Sequence, residues 1–315
     1  MEKLRIVFMG TPEFAVGILD TIVKNNYEIA GVITASDKPA GRGQKLKYSA
    51  VKEYALENNL KLLQPANLKD ENFLAELKAL RANLQVVVAF RMLPKAVWEM
   101  PEYGTFNLHA SLLPNYRGAA PINWAVINGE TKTGVTTFFI DDKIDTGAMI
   151  LSAETEILPD ENAGQLHDRL MDLGSKTVAE TLLLIAKGNV STTIQKESAG
   201  IKTAYKLNKE NCKIDWTKPA KAIYDLIRGL SPYPAAWCYI KDKGQEWNVK
   251  IYSAEMIVEH HNERPGKLIA EKKELKVAVS GGYIRLINLQ FPGKNKMDAQ
   301  QLLNGMSFSN DAQAC

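Results

Sequence analysis

Strand-like apolar runs alternate with helical periodicity from residue 4 to about residue 187, and this restricts the chain to one class of architecture. Residues 4–9 (Leu-Arg-Ile-Val-Phe-Met) read as a strand buried on both faces. Gly10 ends it, Thr11 is a plausible N-cap, and Pro12 suits the first helical position. Phe14, Ile18, Leu19 and Ile22 then recur at helical spacing, and a second apolar run follows at 29–33. Further strands are expected at 61–63, 84–90, 134–140 and 148–157. Helices are expected at 49–58, 70–81, 94–100, 119–128 and 162–187. Such an alternation means an α/β fold with a doubly wound, mainly parallel, Rossmann-like sheet. The first turn lacks GxGxxG, so a dinucleotide site has no support.

The pattern changes after Gly188. Residues 190–205 are rich in Thr, Ser and Lys and read as a linker. Beyond them one helix is expected at 219–229, followed by short segments divided by Pro and Gly, as in a small β-barrel. The expected organisation is a first domain at 1–189, a linker at 190–205 and a second domain at 206–315. The second domain holds 17 Lys/Arg against 12 Asp/Glu, a surplus that suits nucleic acid but also an ordinary solvated surface.

The three cysteines, Cys212, Cys238 and Cys315, have no CxxC spacing, which argues against a disulfide framework or a zinc site and fits a reducing, cytoplasmic compartment. No apolar run has the length of a membrane span, and the N-terminus reads directly as the first strand.

Chemistry concentrates in residues 104–121, where Phe106 and Leu108 alternate with Asn107 and His109. Side chains two apart share a face of a strand, so Asn107 and His109 point the same way while the apolar pair is buried. Pro114, Gly118 and Pro121 then fold the chain into a loop. Polar side chains at a strand's carboxyl end mark where an open α/β sheet places its site; the alternative is a strand end satisfied by neighbouring backbone. Of the four histidines, His260 and His261 read as solvent-exposed and His167 as lying on the polar face of a helix, which leaves His109. Asp145, in the charged loop after the 134–140 strand, is its natural partner, because a carboxylate beside an imidazole fixes the ring's orientation. The Asp145-Thr146-Gly147 string does not make an aspartic protease, which needs two such carboxylates in a β-fold. No GxSxG elbow surrounds Ser111, and no metal constellation is visible. Asn, His and Asp at strand ends can polarise a carbonyl, stabilise an oxyanion and move one proton, which suits acyl transfer between two bound substrates.

A long connection at 35–48 carries Lys38, Arg42, Lys45 and Lys47 and no acid after Asp37. It lacks the GK[ST] of a P-loop and reads either as a clamp for a phosphate backbone or as a mobile surface loop.

Residues 107–121 (Asn-Leu-His-Ala-Ser-Leu-Leu-Pro-Asn-Tyr-Arg-Gly-Ala-Ala-Pro) and 134–147 (Gly-Val-Thr-Thr-Phe-Phe-Ile-Asp-Asp-Lys-Ile-Asp-Thr-Gly) together resemble the signature of the 10-formyltetrahydrofolate-dependent formyltransferases. Pro-Ala-Gly-Arg-Gly at 39–43, Ile-Asp-Trp at 214–216 and Ser-Pro-Tyr-Pro-Ala-Ala-Trp at 231–237 extend the likeness over nearly the whole chain. They point to the branch whose acceptor is initiator methionyl-tRNA, with an OB-like C-terminal domain that binds the tRNA. The resemblance implies the formyltransferase fold and assigns Asn107, His109 and Asp145 to catalysis. It gives Ser111, Leu112, Leu113 and Pro114 to the folate donor, and Arg42 with its neighbours Lys38, Lys45 and Lys47 to the tRNA. The donor is 10-formyltetrahydrofolate, with no metal, and a monomer is expected. Ala-Phe-Arg-Met-Leu-Pro at 89–94 departs from the longer, Gly-containing family version of a folate-pocket loop. The competing readings are transfer to an amino sugar nucleotide, hydrolysis of the folate, and a non-catalytic RNA-binding protein.

Overall fold

A computed structural model describes residues 3–40 and 45–315, with backbone alone for 38–40, 45 and 46. Two compact units emerge. The first comprises Met1–Gly118, Thr133–Thr155 and His167–Thr203; the second comprises Ala119–Lys132, Glu156–Leu166 and Ala204–Cys315.

The first unit opens with β1 (Arg5–Gly10), α1 (Glu13–Lys24) and β2 (Glu28–Ile33). The helix begins one residue later than the sequence suggests: Pro12, extended at φ −82° and ψ 175°, is the cap, and among the described residues no side chain caps the helix. Phe14, Ala15, Ile18, Leu19 and Ile22 form its buried face. A two-stranded hairpin of β3 (Lys38–Ala40) and β4 (Lys45–Lys47) occupies the long connection. There follow α2 (Ala50–Glu57), β5 (Leu62–Leu63), α3 (Glu71–Ala79), β6 (Leu84–Val88), α4 (Lys95–Trp98), β7 (Thr105–His109) and the short β8 (Arg117–Gly118). After α5 (Pro121–Ile127), which belongs to the second unit, come β9 (Lys132–Phe139), β10 (Met149–Glu156) and α6 (Ala163–Ala186).

The main sheet has seven strands in the order β10-β9-β7-β6-β1-β2-β5. β5, β2, β1, β6 and β7 run parallel, and β9 is antiparallel to β7. The expected doubly wound, mainly parallel sheet is therefore present. Phe8, Phe106 and Phe138 are fully buried on β1, β7 and β9, each worth roughly 1.5–3 kcal/mol of hydrophobic stabilisation. Gly174 brings α6 against β7, since a Cβ there would lie 2.7 Å from Leu108 Cδ2.

The second unit is a small barrel preceded by β11 (Thr203–Ala204) and α7 (Ala220–Gly229). Its strands are β12 (Ala236–Asp242), β13 (Gln245–Val258), β14 (Leu268–Glu271), β15 (Glu274–Val279), β16 (Gly282–Gln290), β17 (Met297–Asp298) and, after α8 (Ala299–Leu303), β18 (Gln313–Ala314). The order β14-β15-β16-β13-β12-β18 is brought round on itself by a bridge between Lys267 and Gln313. α5 packs on α7 so tightly that a Cβ on Gly229 would sit 2.5 Å from Ile127 Cγ1. Arg228, buried on α7, donates to Asp225 Oδ1 at 2.7 Å and to Glu161 O at 2.9 Å. Those contacts explain why 119–132 and 156–166 group with the C-terminal third.

Two histidines differ from expectation. His261 is half-buried, not exposed: Nε2–H lies 3.0 Å from Val279 O and 2.7 Å from Gly282 O, and the ring sits 4.4 Å from that of Tyr283. His167 is also half-buried, with its ring edge-on to Phe14 at 5.2 Å. An imidazole with an apolar face can complete an aromatic cluster while its nitrogens find carbonyl or carboxylate partners.

Candidate active site

The site lies at the carboxyl end of β7. Pairing opposite Val87 and Phe138 fixes the register of Asn107. Its Oδ1 is buried and has no hydrogen-bond partner among the described residues, and an unsatisfied buried amide oxygen costs about 1–3 kcal/mol. Two residues on, the His109 ring is buried, and Nε2–H donates to Tyr116 O at 2.7 Å. A carbonyl can only accept, so Nε2 carries a proton and Nδ1 is the nitrogen left for other partners. Nδ1 lies 3.7 Å from Asp145 Oδ2, within reach of charge but beyond a hydrogen bond.

Asp145 sits in the turn between β9 and β10 with φ +56°, in the left-handed region. Its Oδ2 accepts the Gly118 N–H at 2.9 Å. Asp141 closes the same turn by accepting from Thr146 Oγ1 at 2.8 Å and Lys143 N at 3.0 Å. Gly147 is obligatory here, because a Cβ would fall 1.6 Å from Phe139 O.

The segment after His109 is held from inside. Ser111 Oγ donates to Asn115 O at 2.7 Å, so its hydroxyl serves the turn. Leu113 is buried, Leu112 and Pro114 are half-buried, and the Leu113–Pro114 peptide is cis. Thr136, directly opposite His109 on β9, donates to Ser111 O at 2.8 Å and accepts from Leu113 N at 3.2 Å. Sequence reasoning missed Thr136; the signal was a polar pair, Thr136-Thr137, inside a strand otherwise apolar from Val135 to Phe139.

A cavity of about 460 Å³ opens beside the turn between β9 and β10, lined by Leu68, Arg91, Leu93, Trp98, Asp141 and Asp142 among others. The Arg91 guanidinium donates to the carbonyls of Pro65 and Ala66, and burial pulls its pKa below the usual range. Arg91 and Leu93 belong to the 89–94 stretch that the resemblance gave to the folate pocket, while Leu68, Trp98, Asp141 and Asp142 join them only through the fold.

Within the basic connection, Lys38 pairs in register with Lys47, and Ala40 with Lys45. Lys47 is exposed, and Arg42 lies outside the described residues. The base of the hairpin is anchored. Lys52 Nζ is 2.5 Å from Asp37 Oδ2 and 3.7 Å from the Tyr48 ring centre, and Gln64 Nε2 donates to Asp37 Oδ1 at 2.9 Å. The Lys52 hydrogen bond, then that of Gln64, hold the Asp37 carboxyl below the usual carboxylate range. Among the described residues no group of three or more His, Cys, Asp or Glu could hold a metal ion, and no helix is long and apolar enough to cross a membrane.

Residues 4–182 match the model of the family described as formyl transferase, and residues 206–307 match that of its C-terminal domain. A methionyl-tRNA formyltransferase of Flavobacterium johnsoniae is 74% identical over 312 residues, covering 99% of each chain. One from Bacteroides fragilis is 52% identical over 313 residues, covering 98% of this chain and 97% of that one. Among solved structures, the sugar 3N-formyl transferase WlaRD, with dTDP and 5-N-formyl-THF, superposes with a TM-score of 0.63 at 21% identity, covering 94% of this chain and 100% of that one. HypX from Aquifex aeolicus in complex with tetrahydrofolic acid gives a TM-score of 0.65 at 18% identity, covering 96% and 47%. At those identities the two structures speak to the fold alone.

Proposed function

The chain belongs to the formyl transferase family, and we propose on that premise that it moves the formyl group of 10-formyltetrahydrofolate onto the α-amino nitrogen of methionine carried by initiator tRNA. It is an enzyme of one-carbon transfer whose donor is a tetrahydrofolate-type molecule. The observation that carries the site assignment is the buried, unpartnered Oδ1 of Asn107, two residues from a His109 that faces Asp145. A carboxamide oxygen left unpaired in that position keeps its acceptor capacity for a reacting centre.

The neutral amine attacks the formyl carbon; its ordinary pKa near 8 leaves a usable neutral fraction at pH 7. Asn107 Nδ2 donates to the formyl oxygen as negative charge gathers there, an interaction worth roughly 3–4 kcal/mol. Asn107 Oδ1 accepts an N–H of the incoming amine. Because Nε2 is committed to Tyr116 O, His109 handles the mobile proton at Nδ1, and Asp145 stabilises the charged ring. The new C–N bond forms first and leaves the negative charge on the formyl oxygen; the bond to the folate nitrogen then breaks, and the amine's proton ends on that nitrogen. The 460 Å³ cavity beside the Asp141–Asp145 turn is where the pterin would sit; residues 111–114, outside its lining, would meet the folate nearer the formyl carbon.

The basic connection at 35–48, with Lys38, Arg42, Lys45 and Lys47, and the barrel from residue 206 supply phosphate contacts for the tRNA. The expected division into 1–189 and 206–315 would then separate chemistry from acceptor binding, with 119–132 and 156–166 grouping with the second part. The protein would act as a cytoplasmic monomer. A formyl-transfer assay offering initiator methionyl-tRNA, an amino sugar nucleotide and water in parallel tests this reading. Transfer to tRNA should dominate in kcat/KM; faster transfer to the sugar amine or to water would overturn it.

A further inference from the structure

Gln195 comes from the Thr/Ser/Lys-rich stretch after α6, where nothing in the sequence suggests a role, yet it is 93% buried. Its carboxamide reaches the turn that carries Asp145. Nε2 donates one hydrogen to Asp145 O and the other to Gly147 O, both at 2.9 Å. Oε1 accepts from Arg117 Nε at 3.0 Å and from Arg117 Nη2 at 2.8 Å. All four positions of the amide are filled, and the partners fix its orientation: carbonyls require the NH2 and the guanidinium requires the oxygen.

Arg117 continues the connection. Its Nη1 lies 2.8 Å from Glu197 Oε1, and the next residue, Gly118, gives its N–H to Asp145 Oδ2 at 2.9 Å. Asp145 is thereby held at both ends, its backbone carbonyl by Gln195 and its carboxylate by the residue next to Gln195's partner. The backbone beneath Gln195 is fixed as well, because Thr193 exchanges backbone hydrogen bonds with Met149 at 2.9 Å in each direction.

A non-glycine residue in the left-handed region brings its Cβ close to the following carbonyl oxygen. Asp145 therefore stays in place only while its surroundings over-determine it. We infer that Gln195 is a positioning residue for formyl transfer: its two N–H groups hold the Asp145 turn so that the carboxylate faces His109 Nδ1. This rests on the reading that His109 and Asp145 handle the proton.

The test uses the full chain and three variants, Gln195→Met, Gln195→Glu and Asp145→Asn, each with melting temperature and far-UV spectrum measured beside kinetics. Gln195→Met removes all four bonds. Gln195→Glu keeps an acceptor for Arg117 but turns a carboxylate oxygen toward two carbonyls. Both should lower kcat by about 10- to 100-fold, as sub-ångström misplacement of a reacting group does, while KM for tRNA and for the folate donor stays within about twofold. The Gln195→Met/Asp145→Asn double variant should be no slower than Asp145→Asn alone, because residues acting through one another are not additive. Unchanged kcat in folded Gln195→Glu, or a double variant slower by the full product of the two effects, would overturn the inference. Should Gln195→Met fail to fold, Gln195→Glu and its cycle with Asp145→Asn decide. Near-normal turnover in Asp145→Asn would instead overturn the proton-handling reading itself, whatever Gln195 does.

Discussion

Gly118 N and Asp145 Oδ2 lie 2.9 Å apart, closer than the 3.7 Å between that same oxygen and His109 Nδ1. The carboxylate is anchored first to backbone and only then faces the imidazole. Asp145 therefore keeps its place without His109, and the two residues can be removed separately without collapse of the turn. His109→Ala and Asp145→Ala should each cut turnover by about 10²- to 10⁴-fold, the usual range for positioned acid–base groups. Their melting temperatures should stay within a few degrees of wild type. Stopped formyl transfer with purified protein measures the first, and a thermal melt the second.

Thr136 makes the segment after His109 rigid through a single hydroxyl. Thr136→Val keeps the shape but removes the acceptor for Leu113 N and the donor to Ser111 O. The stranded amide should cost about 1–3 kcal/mol, read as a lower urea midpoint at unchanged slope. KM for the folate donor should rise more than KM for tRNA.

The Asp37–Lys52 contact makes stability at the hairpin base pH-dependent. The Lys52 hydrogen bond and then Gln64 depress the Asp37 pKa below its ordinary 3.8. A depressed folded-state value means the contribution is present above the ordinary value and is lost as pH falls through the folded one. Asp37→Asn should therefore be less stable than wild type at pH 5–7, and the gap should close in acid below pH 3.8. Paired urea titrations at pH 7 and pH 3 check the sign.

The Arg42 variant separates the two substrates. Arg42→Ala should raise KM for tRNA and reduce its salt dependence by about one unit of slope in log K against log salt. KM for the folate donor should be unmoved across the same salt series.

Thiol reactivity should follow burial. Cys212 and Cys238 are buried and Cys315 is exposed. Burial raises the Cys212 thiol and pushes Cys238 up to about 12. At pH 8 an aromatic disulfide reagent should titrate Cys315 rapidly, and the other two only after denaturation. A Cys315→Ser variant should leave no fast phase.

Much of this molecule is legible in its sequence because the signals are local. The apolar run before Gly10, the helical spacing from Phe14 to Ile22 and the alternation at Phe106–His109 each fix an element without outside information. Pairing of His109 with Asp145 was also readable, since only one histidine stood at a strand end. Gln195 and Thr136 were not, because their importance lies in partners 50 and 25 positions away. No periodicity reports a side chain that bonds to another segment's backbone. Of the cavity beside Arg91, only the 89–94 stretch is named from sequence, by resemblance; its other walls meet it only after folding. His261 misled because its neighbours in sequence are polar while its neighbours in space are Tyr283 and two carbonyls.

The grouping of Ala119–Lys132 and Glu156–Leu166 with the C-terminal third bears on how such enzymes can be recombined. Neither unit is one uninterrupted length of chain. A chimera made by exchanging residues 206–307 with a relative would leave the native α5 against a foreign α7, at a contact where Ile127 meets a glycine too closely for any side chain. It would also leave the native Glu161 carbonyl without a guaranteed Arg228. Grafts of acceptor preference between family members should therefore carry both internal segments along with the barrel. Crossover points placed only at the end of the first family match would produce mismatched halves.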